Sequence, residues 1–194
     1  MTPARLDLRI NQGATLRKPL LLMQPVYQYK PITAIQQTAP LLIAAPAHGL
    51  VGEWPIWIEG VSGWGDLGRD KTREAFRLAK VVDADTLELN SLNGTGRTAS
   101  GGMIVYQPPV DLTGCAARMS IRDANGALLL DLTTESGRLV IAAPGRLIIT
   151  LTAAETTAIT WQKGRYDLEL TMSNGDVTRW VEGEVMVSRE ATHD

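Results

Sequence analysis

Chemistry in this chain would have to begin at very few positions. Cys115 is the single cysteine, and the two histidines are His48 and His193. A nucleophilic thiol needs a nearby base and partial exposure. Cys115 stands among small residues at the opening of a strand, where a small buried hydrophobe is expected. His48 lies in Pro46-Ala47-His48-Gly49, a loop sequence, and its ring is expected to bond to backbone rather than act as a base. His193 falls in residues 191–194, which are expected to form a flexible tail. Two histidines and one cysteine make a poor zinc set. The sequence therefore predicts no catalytic residue, no metal ligand and no cofactor, and the chain reads as a non-enzyme.

Asp66, Asp70 and Glu74 form one acidic group, and Asp83 with Asp85 forms another. Neither has the ligand spacing of a calcium loop, so both read as solvated turns. Gly60, Gly63, Gly65 and Gly68 lack the Gly-Lys-Ser/Thr and the helix start of a phosphate cradle. The tryptophans carry more. In a regular strand Trp54 and Trp57 fall on opposite faces. Either one is core and the other meets solvent or a partner, or both lie under local loops. An exposed Trp beside a Gly-rich loop suits a protein hot spot or a sugar platform. Trp57, Trp64 and Asp66 are accordingly the candidate interface residues. Trp161 and Trp180 are expected to cover a sheet edge or a crossover.

The elements that must position these residues are strands. From Asp111 to Ser188 apolar residues alternate with polar ones, as in Met119 and Ile121 against Arg118, Ser120 and Arg122. Asn125-Gly126 and Asn174-Gly175 supply the positive φ that tight hairpins need. Roughly six or more short strands with regular turns predict a β-sandwich or barrel. Leu6 to Met23 reads as strand, turn and strand that must pair with later strands. Pro25 to Lys30 reads as an aromatic linker. Strands are expected at Ile32–Ile35, Leu41–Ala44, Trp54–Glu59, Phe76–Val82, Thr86–Asn90 and Met103–Tyr106. Lys71 to Ala79 is compatible with a short helix instead. Pro108-Pro109 punctuates the chain, and Ala153 to Thr157 is the place for a helical turn between sheets.

Composition sets limits. The 194 residues hold 19 Lys and Arg against 21 Asp and Glu, a balance that argues against nucleic acid as main partner. No apolar run reaches the ~18 residues of a membrane helix. Met1 is not followed by a basic segment and an apolar core, so no signal peptide is expected. A chain of this length needs no disulfide staple.

The run Val110-Asp111-Leu112-Thr113-Gly114, Ala117 to Arg122, Tyr166 to Leu170 and the Gly183 strand resembles an immunoglobulin-like domain of tailed-bacteriophage structural proteins. It is similar to the N-terminal domain of upper-baseplate proteins. The middle stretch, with Ala47-His48-Gly49-Leu50, Ile56 to Gly60, Val82 to Leu89 and Ser100 to Tyr106, resembles the first catalytic-cysteine half-domain of ubiquitin-activating enzymes. Phage proteins carry that small β-domain without the enzyme. Together the resemblances imply an all-β chain. A discontinuous immunoglobulin-like β-sandwich at 4–28 and 108–190 would hold an inserted small β-barrel at 31–107. They further imply a non-enzymatic virion protein made in the bacterial host cytoplasm. It would be a tail, baseplate or tail-fibre adaptor whose partners are other virion proteins in a symmetric oligomer, with no nucleic acid and no membrane. Capsid decoration, a head–tail connector and a glycan-binding host-recognition module are the alternatives.

Overall fold

A computed structural model describes residues 2–189. The expected tail at 191–194, with His193, lies outside the described residues. Among the described residues the strands run in chain order as follows. First come β1 (Ala4–Arg5), β2 (Leu8–Asn11), β3 (Leu16–Leu21), β4 (Gln28–Pro31), β5 (Ala34–Ile35) and β6 (Leu41–Ala44). Next come β7 (Glu53–Glu59), β8 (Arg77–Val81), β9 (Thr86–Leu89) and β10 (Met103–Tyr106). The last are β11 (Ala116–Arg122), β12 (Leu128–Thr133), β13 (Leu139–Ala143), β14 (Arg146–Leu151), β15 (Lys163–Thr171) and β16 (Val177–Ser188). One helix, α1 (Ala153–Thr157), separates β14 from β15. The chain divides into two compact units, one formed by residues up to Leu22 with those from Asp111 onward, the other by Met23–Val110.

The first unit is a sandwich. Its larger sheet runs β12-β11-β15-β16, with β1 and β2 both parallel to β16. Its smaller sheet runs β13-β14-β3. This is the order of an immunoglobulin-like sandwich, with β3 as strand B and β11 as strand C. Alternation fills the core: Ala117, Met119 and Ile121 of β11 and Leu147, Ile149 and Leu151 of β14 are buried. As expected, α1 lies where the chain passes from one sheet to the other. Its start is fixed by a capping box, with Glu155 N–H donating to Thr152 Oγ1 at 3.2 Å and Thr152 N–H donating to the Glu155 carboxylate at 2.8 Å.

The sheet edges are blunted. Register shifts interrupt β12 beside Ile121/Arg122 and β13 at Ile141/Ala143. Strand β3 carries Arg17, Lys18 and Pro19. Bulges, charges and proline on edge strands all oppose further strand pairing.

The second unit is one antiparallel sheet in the order β4-β10-β7-β8-β9-β6-β5. Its two end strands are consecutive in sequence, joined only by Ile32 and Thr33. Two residues span less than about 10 Å, so the sheet must curl until its ends meet there. Backbone bonds from Ile32 N–H to Gly102 O at 2.9 Å and from Thr33 N–H to Ala44 O at 2.9 Å hold that junction. The result is a half-barrel filled by Ile43, Trp54, Ile56, Ile58, Leu87 and Ile104, each no more than 1% exposed.

Two expectations change, and one alternative is closed. Pro25 to Lys30 is not a linker: β4 pairs with β10, Tyr29 standing opposite Val105 and Pro31 opposite Met103. Residues 23–28 belong with the middle unit rather than the sandwich. Lys71 to Ala79 is not a helix. Asp70 holds a turn, with Glu74 N–H donating to Asp70 O at 2.8 Å, and β8 follows.

Candidate functional site

Strand β7 buries Trp54, Ile56 and Ile58 on one face, which leaves Trp57 on the other, half-buried. Cross-strand register extends that outward face. Trp57 stands opposite Val105 of β10, and Val105 stands opposite Tyr29 of β4. Met103 shares the face two residues from Val105. On the other side Pro55 stands opposite Leu78 of β8. Phe76 packs edge-on against Trp57 at 6.0 Å between ring centroids, and Tyr27 does so at 5.9 Å. The Trp57 indole N–H donates to Glu74 O at 2.9 Å, which fixes the ring.

The outer residues of this face remain open. Tyr29 is 47% exposed, Phe76 50%, Leu78 52% and Met103 47%. Tyr, Trp, Phe and Met with few charges among them is the composition of an interface core. Val105 and Pro55 beneath them are buried, and several large apolar side chains left exposed on one face mark an interaction site. One ion pair borders it: Lys71 Nζ donates to Glu59 Oε1 at 3.2 Å. The same ammonium lies 5.6 Å from the Tyr27 ring centre and 5.1 Å from that of Tyr29. A hydrogen bond with Tyr29, and then one with Glu59, holds Lys71 above the usual lysine range.

Trp64 is not part of this face. It is 8% exposed, with the Arg97 guanidinium 5.6 Å over its ring. A short 3-10 turn at Gly65–Leu67 folds the loop inward, burying Leu67 completely. Gly63 makes that turn possible at φ +91°, where a Cβ would meet Thr98 O at 2.7 Å. The expectation of an exposed Trp64 is thereby corrected. Asp66 is exposed, and its backbone carbonyl accepts from Arg77 Nη2 at 2.5 Å. Of the three candidate residues, the structure brings only Trp57 into the aromatic face. Sequence reading missed Tyr29, Phe76, Leu78 and Met103. The alternation Tyr27-Gln28-Tyr29 was the available signal for the strand that carries Tyr29.

His48 is buried, and both of its ring nitrogens are engaged by backbone. Leu50 N–H donates to Nδ1 at 3.0 Å, and Nε2 lies 3.0 Å from Asp83 O. The Tyr106 hydroxyl donates to the His48 carbonyl. The adjacent acidic residues build the same corner: Asp83 Oδ1 accepts Asp85 N–H at 2.9 Å, and Asp85 Oδ1 accepts Ala47 N–H at 2.8 Å. The bond from Asp85 holds the Asp83 carboxyl below the usual range. Asp70 likewise caps its own turn, accepting from Thr72 Oγ1 at 2.6 Å and Thr72 N–H at 2.7 Å, and its carboxyl is lowered in consequence. Glu74 pairs with Arg69 at 3.0 Å.

Cys115 departs from expectation: it is half-buried, in the turn before β11. Its Sγ lies 3.8 Å from Thr113 O and from Met172 Sδ, neither of which is a base. Trp161 and Trp180 are half-buried, Trp161 following the α1 crossover. Among the described residues, no three or more His, Cys, Asp and Glu side chains gather as a metal site, and no helix is long and apolar enough to cross a membrane.

No family model matches the chain, and no curated protein matches it.

Proposed function

We propose that this chain is a non-enzymatic structural protein of a tailed-bacteriophage virion, an adaptor in the tail, baseplate or tail-fibre junction that works through protein–protein contacts. The observation that carries this reading is the outward face of the middle sheet, with Tyr29, Phe76, Leu78 and Met103 about half exposed around Trp57. Such a face gains from burial against another protein. At about 25 cal/mol per Å², covering a few hundred Å² of apolar surface contributes several kcal/mol before the costs of association.

Two further features support it. The residues that would start nucleophilic chemistry serve the fold: both ring nitrogens of His48 are held by backbone, and Cys115 faces carbonyls and a thioether. The sandwich edges are bulged or charged, so a face rather than an edge is the contact surface. The phage assignment itself rests on the resemblance of the strand and turn residues. It is tested by complementation: a phage lacking this chain is supplied with wild type or with Phe76→Ser/Leu78→Ser. Particles should incorporate the wild type and exclude the variant. Equal incorporation of both would remove the aromatic face from the account.

A further inference from the structure

Beside the aromatic face, the Gly-rich segment 60–74 walls an open cleft of about 540 Å³. Its polar lining is of mixed sign. Glu59, Asp70 and Glu74 supply carboxylates, Arg69 and Lys71 supply cations, and Thr72 a hydroxyl. Four of these charges pair off, Glu59 with Lys71 at 3.2 Å and Glu74 with Arg69 at 3.0 Å, while the Asp70 carboxylate accepts from Thr72. With two ion pairs and one carboxylate in excess, the cleft holds no strong field of either sign. It does offer donors and acceptors side by side, held in place by ion pairs and by the Asp70 turn.

Two aromatic rings, Tyr29 and Trp57, each contact a residue of the lining. Lys71 connects the cleft to Tyr29, lying 5.1 Å from that ring centre. The Glu74 backbone carbonyl connects it to Trp57, whose indole N–H it accepts at 2.9 Å. Neutral polyhydroxylated rings match this combination. Each hydroxyl both donates and accepts, and the C–H face of a pyranose packs on an aromatic side chain. Concave sites that hold small ligands combine such apolar walls with a few convergent polar groups.

We propose that this cleft binds a neutral saccharide, with Glu59, Lys71 and Asp70 bonding hydroxyls and Tyr29 as the stacking wall. This goes beyond the adaptor reading and does not depend on it.

The test screens the full chain against an array of neutral oligosaccharides that includes maltohexaose and chitohexaose, then titrates the best binder by calorimetry. Saturable binding is expected, weakened about tenfold or more by Tyr29→Ala and by Glu59→Gln, a loss of at least one step of affinity on the logarithmic scale. Tyr29 is half exposed, so its removal spares the fold, and an unchanged thermal transition verifies this. Leu78→Ser, on the opposite side of β7 from Tyr29 and absent from the cleft lining, should bind sugar like wild type. No saturable binding to any array member at up to about 10 mM would overturn the proposal, as would binding indifferent to both cleft variants.

Discussion

The backbone N–H of Leu50 donates to Nδ1 of His48 at 3.0 Å, which makes Nε2 the protonated nitrogen and the donor to Asp83 O. One buried ring thus joins the loop before β7 to the turn between β8 and β9. The Tyr106 hydroxyl closes the same corner on the His48 carbonyl. His48→Ala leaves the buried Leu50 N–H and the part-buried Asp83 carbonyl without these partners. A loss of about 2–4 kcal/mol is expected, read as a lower urea midpoint. Tyr106→Phe, which orphans one carbonyl, should cost about 1–2 kcal/mol. Unchanged midpoints would show that the corner is held by other bonds.

Gly183 lies where β16 passes between β1 and β2, and a Cβ there would sit 2.1 Å from Leu6 O. That carbonyl also accepts the Tyr166 hydroxyl at 2.6 Å, and Leu6 N–H donates to Glu182 O at 2.9 Å. Gly183→Ala must push the N-terminal strands off β16. A destabilisation of about 1–3 kcal/mol is expected, together with faster hydrogen exchange at the Leu6 amide.

Burial, with Asp7 adding its charge, pushes the Tyr166 hydroxyl up to about 12. In the unfolded chain a tyrosine ionises near 10. The folded state therefore holds the proton more tightly. The corresponding stability is fully present below pH ~10 and is lost as pH rises toward about 12. Denaturant midpoints should fall across that window, and Tyr166→Phe should flatten the fall while lowering the plateau. A slope identical in the variant would assign alkaline lability to other groups, Tyr106 first, since burial raises its hydroxyl too.

Much of the fold was legible because the sandwich obeys period 2. Met119 and Ile121 alternate with Arg118, Ser120 and Arg122 in β11, and the structure buries the first pair. The helical turn expected at Ala153 to Thr157 forms as α1, started by the capping pair Thr152 and Glu155. The site was less legible. Strand β4 holds Tyr29 between Gln28 and Lys30 in a stretch that read as an aromatic linker. Its strand character comes from pairing with β10, some 75 residues away in sequence, which no local pattern encodes. Trp64 was misplaced for a related reason. Glycines on both sides suggested an open loop, whereas Gly63 supplies the positive φ that turns the indole inward.

Phe76→Ser and Leu78→Ser remove side chains that are half exposed. Surface changes of this kind shift stability by no more than about 0.5–1 kcal/mol each. Thermal unfolding of the double variant should therefore match wild type within a few degrees. Trp57→Ala should differ, because its ring also packs on Tyr27 and Phe76 and donates to Glu74 O. A loss of about 2–4 kcal/mol is expected there.

The most direct test of the adaptor reading is immunogold labelling of virions purified from the source of this chain, with antibody to it. Label is expected at the tail tip, baseplate or fibre junctions. Label spread over the capsid would contradict the tail assignment in favour of decoration. Absence both of label and of the chain from the particle's protein inventory would contradict the structural role altogether.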